Sequence, residues 1–364
     1  MLVRGDLLWR NAPDQPARWT KGEWLIGGEK IYATEETSCA PQWEGFIIPG
    51  MVDVHCHLAI GPEGPVDEDE QLGFAQATRD SGVLLVRDCG APRSQEWITR
   101  RSDLPRLIRC GQHIARPKRY IRGLPVDVED VASLPEVVAE QAAVGDGWVK
   151  LVGDWIDRSK GADADLDPLW PLEVLVDAVA AAHEAGALVA VHAFSHKVID
   201  DLLEAGVDDI EHGSGMDADQ LAQARAQGTV VTPTFLQVEL FHEFAAQAGA
   251  KYPVYAATMQ SMYDKRREHA ELIIDSGVQL LPGTDAGGYQ EHGCLVAELE
   301  LWERAGMSLP DIIDTVTWKA RAFLGAPSLY EGAPADFVVY EEDPRKDLSV
   351  LARPSAVVLG GVAV

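Results

Sequence analysis

Two histidines stand one residue apart at the end of an apolar run, in the segment "IIPGMVDVHCHLAIGPEG", residues 47–64. Alternate side chains of a β-strand point to the same face. His55 and His57 therefore share a face with Asp53, opposite the two valines of "MVDV". Two imidazoles on one face, at a strand end that leads into a glycine-containing loop, can bind one metal ion. The alternative is an ordinary pair of surface or core histidines, and His-x-His taken alone does not separate the two.

Four more residues of metal-binding or catalytic types lie inside other apolar runs or at their ends. They are Lys150 in "GWVKLVG", His192 in "ALVAVHAF", His212 in "DDIEHG" and Asp285 in "LLPGTDAGG". A lone histidine at a strand end is commonly a core or loop residue, and an aspartate before Ala-Gly-Gly is commonly a turn former. Lys150 is harder to explain in this way, because an ammonium between a valine and a leucine is costly to bury unless it is paired or modified. The joint occurrence of all six residues favours a metal site.

The runs that carry these residues alternate with helical patterns. Eight of them are predicted to be strands: residues 51–55, 82–90, 104–111, 147–153, 187–194, 208–213, 229–235 and 278–288. Helical stretches such as 172–186, 196–206 and 217–228 end in glycine, the expected stop, and Asp217 is a predicted N-cap. Eight strands alternating with helices predict an α/β fold, a (β/α)8 TIM-type barrel. In such a barrel chemistry belongs at the C-terminal ends of the strands, where the polar residues lie.

The two ends of the chain have a different pattern. Residues 1–48 and 326–364 contain short strand-like pieces such as "EWLIGGEKIYA", "APADFVVYEED" and "AVVLGGVAV". We expect these ends to pair into a small β-sandwich domain beside a barrel formed by residues 49–325.

The composition limits the class of partner. With 31 basic and 58 acidic residues the net charge is −27, which argues against nucleic acid or an anionic membrane as a partner. No apolar run approaches the roughly 20 residues that span a bilayer, and the N-terminus lacks a secretory profile. The five cysteines are scattered and form no CxxC, which is typical of reduced thiols in a cytoplasmic protein. The sequence does not decide between a monomer and a homo-oligomer.

Taken together, "PGMVDVHCH", the lysine of "WVKLV", "AVHAF", "DIEHG" and "GTDAGG" resemble the amidohydrolase superfamily of metal-dependent hydrolases. The resemblance covers nearly the whole chain, including the tail "YEGAPADFVVYEEDPRKDL". It is strongest to the prolidase-like and imidazolonepropionase-related branch. It implies two divalent ions per chain, Zn²⁺ or a similar metal, held by His55, His57, Lys150, His192, His212 and Asp285.

The resemblance also implies a role for each ligand. His55 and His57 would bind the more buried metal, and His192 and His212 the second. Lys150, carboxylated by carbon dioxide to a carbamate, would bridge the two ions. Asp285 would be both a ligand and the general base that transfers a proton to the leaving nitrogen.

Three functions remain open at this point. The first is a binuclear hydrolase that cleaves an amide or related C–N bond in a dipeptide, an N-acyl amino acid or a cyclic amide. The second is a mononuclear deaminase or imidazolonepropionase-like enzyme that uses His55, His57, His192 and Asp285 and leaves Lys150 unused. The third is a metal-free scaffold protein, which would be expected to lack some of the six ligands. Metal content per chain, about two, one or none, separates them.

A basic segment interrupts the acidic composition and suggests how a substrate is held. Residues 100–122 contain eight Lys/Arg against one Asp, and their second part follows the third strand. One interpretation is a solvated surface. The other is that the segment binds a small-molecule substrate with a carboxylate through Arg116, Lys118, Arg119 or Arg122. His113 and Tyr120 would then lie near the scissile carbonyl, and His292 would approach from the loop after the eighth strand.

Overall fold

The computed structural model describes residues 1–35 and 38–364. The chain begins with four strands, β1 (Leu2–Trp9), β2 (Arg18–Gly27), β3 (Lys30–Thr34) and β4 (Trp43–Pro49). β1 pairs antiparallel with β2 and parallel with β4, and β2 pairs antiparallel with β3.

The central part of the chain contains thirteen further strands. They are β5 (Met51–Cys56), β6 (Ile60–Gly61), β7 (Gly64–Pro65), β8 (Val83–Asp88), β9 (Arg106–Arg109), β10 (Ile114–Ala115), β11 (Val126–Asp127), β12 (Trp148–Val152), β13 (Asp154–Ile156), β14 (Leu166–Pro168), β15 (Leu188–Ala193), β16 (Asp209–His212) and β17 (Val230–Thr232). β6 pairs with β7 and β13 with β14 as short antiparallel ribbons.

Twelve α-helices accompany these strands. They are α1 (Glu68–Asp80), α2 (Glu96–Thr99), α3 (Leu134–Val144), α4 (Leu172–Glu184), α5 (His196–Ala205), α6 (Ala218–Gln227), α7 (Phe235–Glu239), α8 (Phe241–Ala248), α9 (Pro253–Ser276), α10 (Leu295–Arg304), α11 (Leu309–Asp314) and α12 (Ala320–Phe323). Across the described ranges, no helix is both long enough and apolar enough to cross a membrane. The five cysteines are unpaired in this part of the chain.

The helix ends follow the local sequence signals. The Asp217 side chain accepts hydrogen bonds from the backbone amides of Asp219 and Gln220, and the Gln220 side chain completes a capping box at the start of α6. The glycines after α5 and α6, Gly206 and Gly228, adopt left-handed conformations that end these helices. The predicted N-cap and glycine stops are therefore confirmed.

Both ends of the chain join one sheet. The last strands, β18 (Phe337–Tyr340), β19 (Ala356–Leu359) and β20 (Val362–Ala363), extend β4, which gives the order β20-β19-β18-β4-β1-β2-β3. The two ends thus pair as expected, in a seven-stranded sheet. Among the described residues this pairing defines no second facing sheet, so the sandwich and its domain boundaries remain predictions.

The central strands pair in parallel around the site. β5, β8 and β9 form one sheet, and β11, β10, β12, β15, β16 and β17 form another in that order. Residues 279–286 lie between β17 and β5, because the Leu281 amide donates to the Val231 carbonyl and the Val54 amide donates to the Pro282 carbonyl. The eighth predicted strand is thus an irregular segment with isolated bridges. In the described ranges the ladder is interrupted between β9 and β10, so the predicted barrel is not closed into one continuous sheet.

Candidate metal centre

The histidine pair and Asp285 converge at one point. His55 lies in β5 and His57 follows it, and both rings are almost fully buried. Their Nε2 atoms lie 3.1 and 3.2 Å from Asp285 Oδ1. Ligand atoms of all three residues lie within 4.8 Å of one another, close enough to surround one ion.

The position of Asp285 is set by a buried hydrogen-bond network. Thr284 Oγ1 donates to Asp53 Oδ2 at 2.6 Å, and the His55 amide donates to Asp53 Oδ1 at 3.1 Å. Asp285 itself has a φ of 57°, a left-handed conformation that is uncommon outside glycine. The network therefore fixes the loop that carries the carboxylate relative to β5.

Two glycines allow this loop to approach the histidines. A Cβ atom at Gly283 would lie 2.7 Å from His55 Cβ, and one at Gly287 would lie 2.6 Å from the His57 carbonyl oxygen. Neither contact is sterically allowed, so the glycines of "PGTDAGG" are required for the close packing.

His192 and His212 form a second pair beside the first. Their ring centroids are 4.7 Å apart, and the ring of His212 is 4.8 Å from that of His55. His212 ends β16 with a φ of 69°. A 2.6 Å hydrogen bond joins its Nδ1 to Thr234 Oγ1. This bond orients the ring and leaves Nε2 available as a ligand.

Lys150 lies inside the barrel strands next to a buried carboxylate. Only 1% of its surface is exposed, and its Nζ contacts Glu211 Oε2. Glu211 Oε1 also accepts from an Arg87 nitrogen at 3.1 Å and from Cys89 Sγ at 3.0 Å. The same Arg87 nitrogen donates to Asp209 at 2.5 Å. Two cations and two carboxylates therefore share the barrel interior.

Sequence reasoning missed Glu211 and Cys89. Together with His55 they form a second group whose ligand atoms lie within 4.8 Å of one another. The signal was present, since an acid inside the strand "DDIEHG" is as costly to bury as Lys150.

The protonation states suit metal binding. Burial lowers the pKa of His55 to about 3 and the pKa values of His192 and His212 well below 6.5, so these imidazoles are neutral. Burial alone would raise the pKa of Asp285, but His55 and the hydrogen bonds from His55 and His57 lower it well below its usual range. Neutral imidazole and carboxylate are the forms that ligate divalent ions.

Buried ring nitrogens that lack hydrogen-bond partners also support metal binding at this site. Within the described residues, neither ring nitrogen of His192 has a hydrogen-bond partner, and the same holds for Nδ1 of His55 and His57. Buried polar atoms without partners are rare in folded proteins. A metal ion at this site would give the imidazoles the partner that the protein does not supply.

A cavity of about 280 Å³ opens over the centre. His57, His192 and Asp285 lie in its lining, and Tyr120 and Trp155 line it beside them. The Tyr120 ring lies 5.7 Å from that of His192. Burial raises the pKa of Tyr120, so its hydroxyl stays protonated and can donate a hydrogen bond. A small molecule in the cavity would therefore contact the predicted ligands directly.

The other predicted substrate residues lie in different settings. His113 is buried, 5.0 Å from the Tyr120 ring and 6.1 Å from that of His57. His292 packs on Phe74, with the two rings 4.4 Å apart. His113 and His292 are outside the set of residues that line the cavity.

The four basic side chains predicted to hold a carboxylate do not line the cavity, although Tyr120 and Ile121 of the same segment do. Arg122 and Lys118 are exposed, and neither they nor Arg116 and Arg119 belong to the cavity lining. Arg119 pairs with an Asp157 carboxylate oxygen at 3.0 Å and donates to two backbone carbonyls. The arginine that does line the cavity is Arg158, which the sequence had not singled out.

Comparisons with known proteins identify the family of this chain. A family model described as "Amidohydrolase family" matches residues 46–364. An uncharacterized protein of Mycobacterium tuberculosis is 45% identical over 317 residues, covering 87% of this chain and 85% of that protein. An ochratoxinase of Aspergillus niger is 24% identical over 376 residues, covering 90% of this chain and 76% of that protein.

Solved structures show the shared fold. A crystal structure of a Xaa-Pro dipeptidase with bound methionine in the active site has a TM-score of 0.82 at 22% identity, covering 100% of this chain and 99% of that chain. The architecture is thus a TIM-type barrel with mixed α/β content. Because the family model spans well over half of its residues, the chain belongs to the amidohydrolase family, hydrolases that act on carbon–nitrogen bonds.

Proposed function

We propose that this protein is a metal-dependent hydrolase that cleaves an amide or related C–N bond of a small molecule, with Asp285 as general base. The observation that carries the proposal is the convergence of His55, His57 and Asp285 beneath the cavity. A buried cluster of these residue types at the bottom of an open cavity is a site for chemistry, because a structural site would be closed to solvent.

The residue types present support a centre with two divalent ions. His55, His57 and Asp285 would hold one ion, and His192 and His212 the other. Lys150, carboxylated by carbon dioxide, would contribute an anionic oxygen ligand to both. Its full burial supports this modification, since a carbamate with metal partners removes the cost of an ammonium in the barrel interior. Imidazole and carboxylate-type oxygens suit Zn²⁺.

The reaction assigns separate roles to the chain's own groups. Bound divalent ions would lower the pKa of water and polarise the carbonyl. Asp285 would accept a proton from water and deliver it to the leaving nitrogen, while the hydroxyl part adds to the carbonyl carbon and the C–N bond breaks. The protonated Tyr120 hydroxyl, beside His192, would orient the substrate carbonyl by donating a hydrogen bond.

A mononuclear enzyme is the second candidate. It is favoured by the contact between Lys150 and Glu211, which would form a buried ion pair if Lys150 stays unmodified. His55, His57, His192 and Asp285 would then hold a single ion, as in a deaminase or an imidazolonepropionase-like hydrolase.

Metal content and lysine chemistry can be measured on the same sample. We expect about two ions per chain by plasma emission spectrometry. A carbamate carbon resonance should also follow growth with ¹³C-labelled bicarbonate. Lys150→Arg should abolish that resonance, whereas Lys160→Arg, at an exposed lysine, should retain it. One ion per chain, no carbamate and full amidase activity would favour the mononuclear enzyme, and activity without any metal would refute the proposal.

A further inference from the structure

A row of aromatic rings leads from the metal centre to the mouth of the cavity. The His192 ring lies 4.3 Å from Phe194, which lies 4.8 Å from Phe241. Phe241 is 6.0 Å from Phe244, and Phe244 is 5.0 Å from Tyr289. Phe194 and Phe241 are buried, with 3% and 0% of their surface exposed, whereas Tyr289 is 57% exposed. Phe194, Phe244 and Tyr289 line the cavity, and Phe241 packs behind them. Aromatic side chains therefore line the cavity both beside His192 and at its solvent-exposed side.

Two tyrosines at the start of α9, one of them its N-cap residue, line the same cavity. Tyr252 and Tyr255 lie at the start of this helix, and the Tyr255 amide donates to the Ala164 carbonyl at 3.0 Å. This bond ties α9 to the segment between β13 and β14. We call Phe244, Tyr252, Tyr255 and Tyr289 the aromatic chamber. Its flat apolar walls with phenolic edges are suited to a planar ring.

Arg158 lies in the lining of this cavity without a partner of its own. In the part of the chain that the structure describes, its guanidinium forms no hydrogen bond or ion pair, whereas nearby Arg119 and Lys160 pair with Asp157 and Asp167. In a protein with a net charge of −27, an arginine left unpaired at a cavity is available for an anion. A guanidinium binds a carboxylate through paired hydrogen bonds.

We propose that the aromatic chamber binds an aromatic ring of the substrate and that Arg158 binds a carboxylate on the same part of the substrate. The substrate class is then the N-acyl aromatic amino acids, including dipeptides with a C-terminal aromatic residue. This inference rests on the proposed function, because it assumes that an amide is cleaved at the metal centre. With N-acetyl-L-phenylalanine, the hydroxyl of water goes to the acetyl carbon and a proton to the nitrogen, which yields acetate and L-phenylalanine.

Binding of the product tests the inference without turnover. We expect the metal-loaded protein to bind L-phenylalanine about tenfold more tightly than L-alanine or L-phenylalaninamide in calorimetric titrations. Arg158→Met should remove the preference over the amide and keep the preference over alanine. Tyr289→Ala should remove the preference over L-alanine and keep the preference over L-phenylalaninamide. Arg18→Met, at an exposed arginine of β2, is the matched control and should change neither ratio.

Turnover separates this inference from the proposed function. The ratio of kcat/KM for N-acetyl-L-phenylalanine to that for N-acetyl-L-alanine or N-acetyl-L-phenylalaninamide should follow the binding ratios. If amides are hydrolysed without these preferences and no variant changes the ratios, the aromatic chamber is not the specificity site, while the proposed function stands. If the binding pattern is found but the loaded protein cleaves no amide, the proposed function fails and the binding site stands.

Discussion

Glu298 of α10 is a buried carboxylate that connects this helix to the segment beside the metal centre. It is fully buried, and its Oε1 accepts from the Phe235 amide and from Trp302 Nε1, both at 2.8 Å. Its Oε2 accepts from the Leu236 amide at 2.7 Å. Three donors thus converge on one carboxylate.

This carboxylate reaches the metal centre through a short chain of contacts. The two amides that it accepts from belong to the first turn of α7, which follows Thr234. Thr234 has a φ of 42°, and its hydroxyl forms the hydrogen bond with His212 Nδ1. We therefore expect Glu298 to be a positioning residue for His212.

Glu298→Gln is the informative perturbation. The amide side chain has one accepting oxygen, so at least one of the three donors would face an NH₂ group. Compared with wild type in which Glu298 is protonated, the unpaired buried donor should lower the free energy of unfolding of the variant by about 1–3 kcal/mol. Metal content should fall as well, because the orientation of His212 is loosened.

The pH dependence of this cost has a definite sign. Burial raises the pKa of Glu298 from 4.5 to about 7. Between these values the folded protein keeps a proton that the unfolded chain has released, so wild-type stability falls as the pH rises. The difference between the two pKa values corresponds to a fall of about 3 kcal/mol in the free energy of unfolding, and most of this fall occurs between about pH 5 and pH 8. Glutamine does not titrate, so the variant should be most destabilised at acid pH and should equal or exceed wild type above pH 7.

Urea unfolding of the metal-loaded proteins across this pH range is the assay. Glu300→Gln is the matched control, since Glu300 is a partly exposed residue of the same helix that pairs with Arg304. It should leave both the pH dependence and the metal content unchanged. A destabilisation by Glu298→Gln that stays constant or grows with pH would refute the assignment of a raised pKa.

Three further predictions concern the centre itself. Lys150→Ala should lose most activity and at least one metal ion, with partial rescue of activity by added short carboxylic acids; full activity with unchanged metal content would instead favour the mononuclear enzyme. Asp285→Asn should unfold in urea like wild type while kcat falls by roughly 10²–10⁴, and a change of only a few-fold would exclude it as the base. Arg87→Met should reduce the free energy of unfolding by about 3–5 kcal/mol, because Asp209 and Glu211 lose their cation; a loss below about 1 kcal/mol would show that other groups compensate.

The polar residues of the barrel strands could be predicted from the sequence because they lie inside apolar runs. Parallel strands covered on both faces appear in a sequence as nearly continuous apolar runs, so a polar residue inside one is conspicuous. Every residue of β12 and β16 is buried, and Lys150 and His212 stand out there for this reason. The convergence of His55, His57 and Asp285 follows from the rule that the ends of parallel strands meet at one face.

The cavity lining was not predictable in the same way. Arg158 begins a short 3-10 helix, Arg158–Asp163, which is kinked at Gly161 and lies between β13 and β14. No hydrophobic period there marks which side chains face the site. The basic segment was proposed to bind substrate because it contains many positive charges. Its arginines instead form ion pairs with residues distant in the sequence: Arg119 pairs with Asp157, and Arg109 pairs with Asp146. Loop contacts of this kind depend on tertiary structure.

Charge balance in the barrel interior links the proposed modification of Lys150 to metal binding. Unmodified Lys150 and Arg87 together balance Asp209 and Glu211, all four fully or almost fully buried. A carbamate would replace one of the two cations by an anion, and uncompensated buried charge is strongly destabilising. Two divalent ions supply the compensation, together with the charge of Asp285. The carbamate and the metal ions should therefore be gained and lost together, because an unmodified Lys150 beside Glu211 would pair an ammonium with a carboxylate, whereas a carbamate there would need the cations.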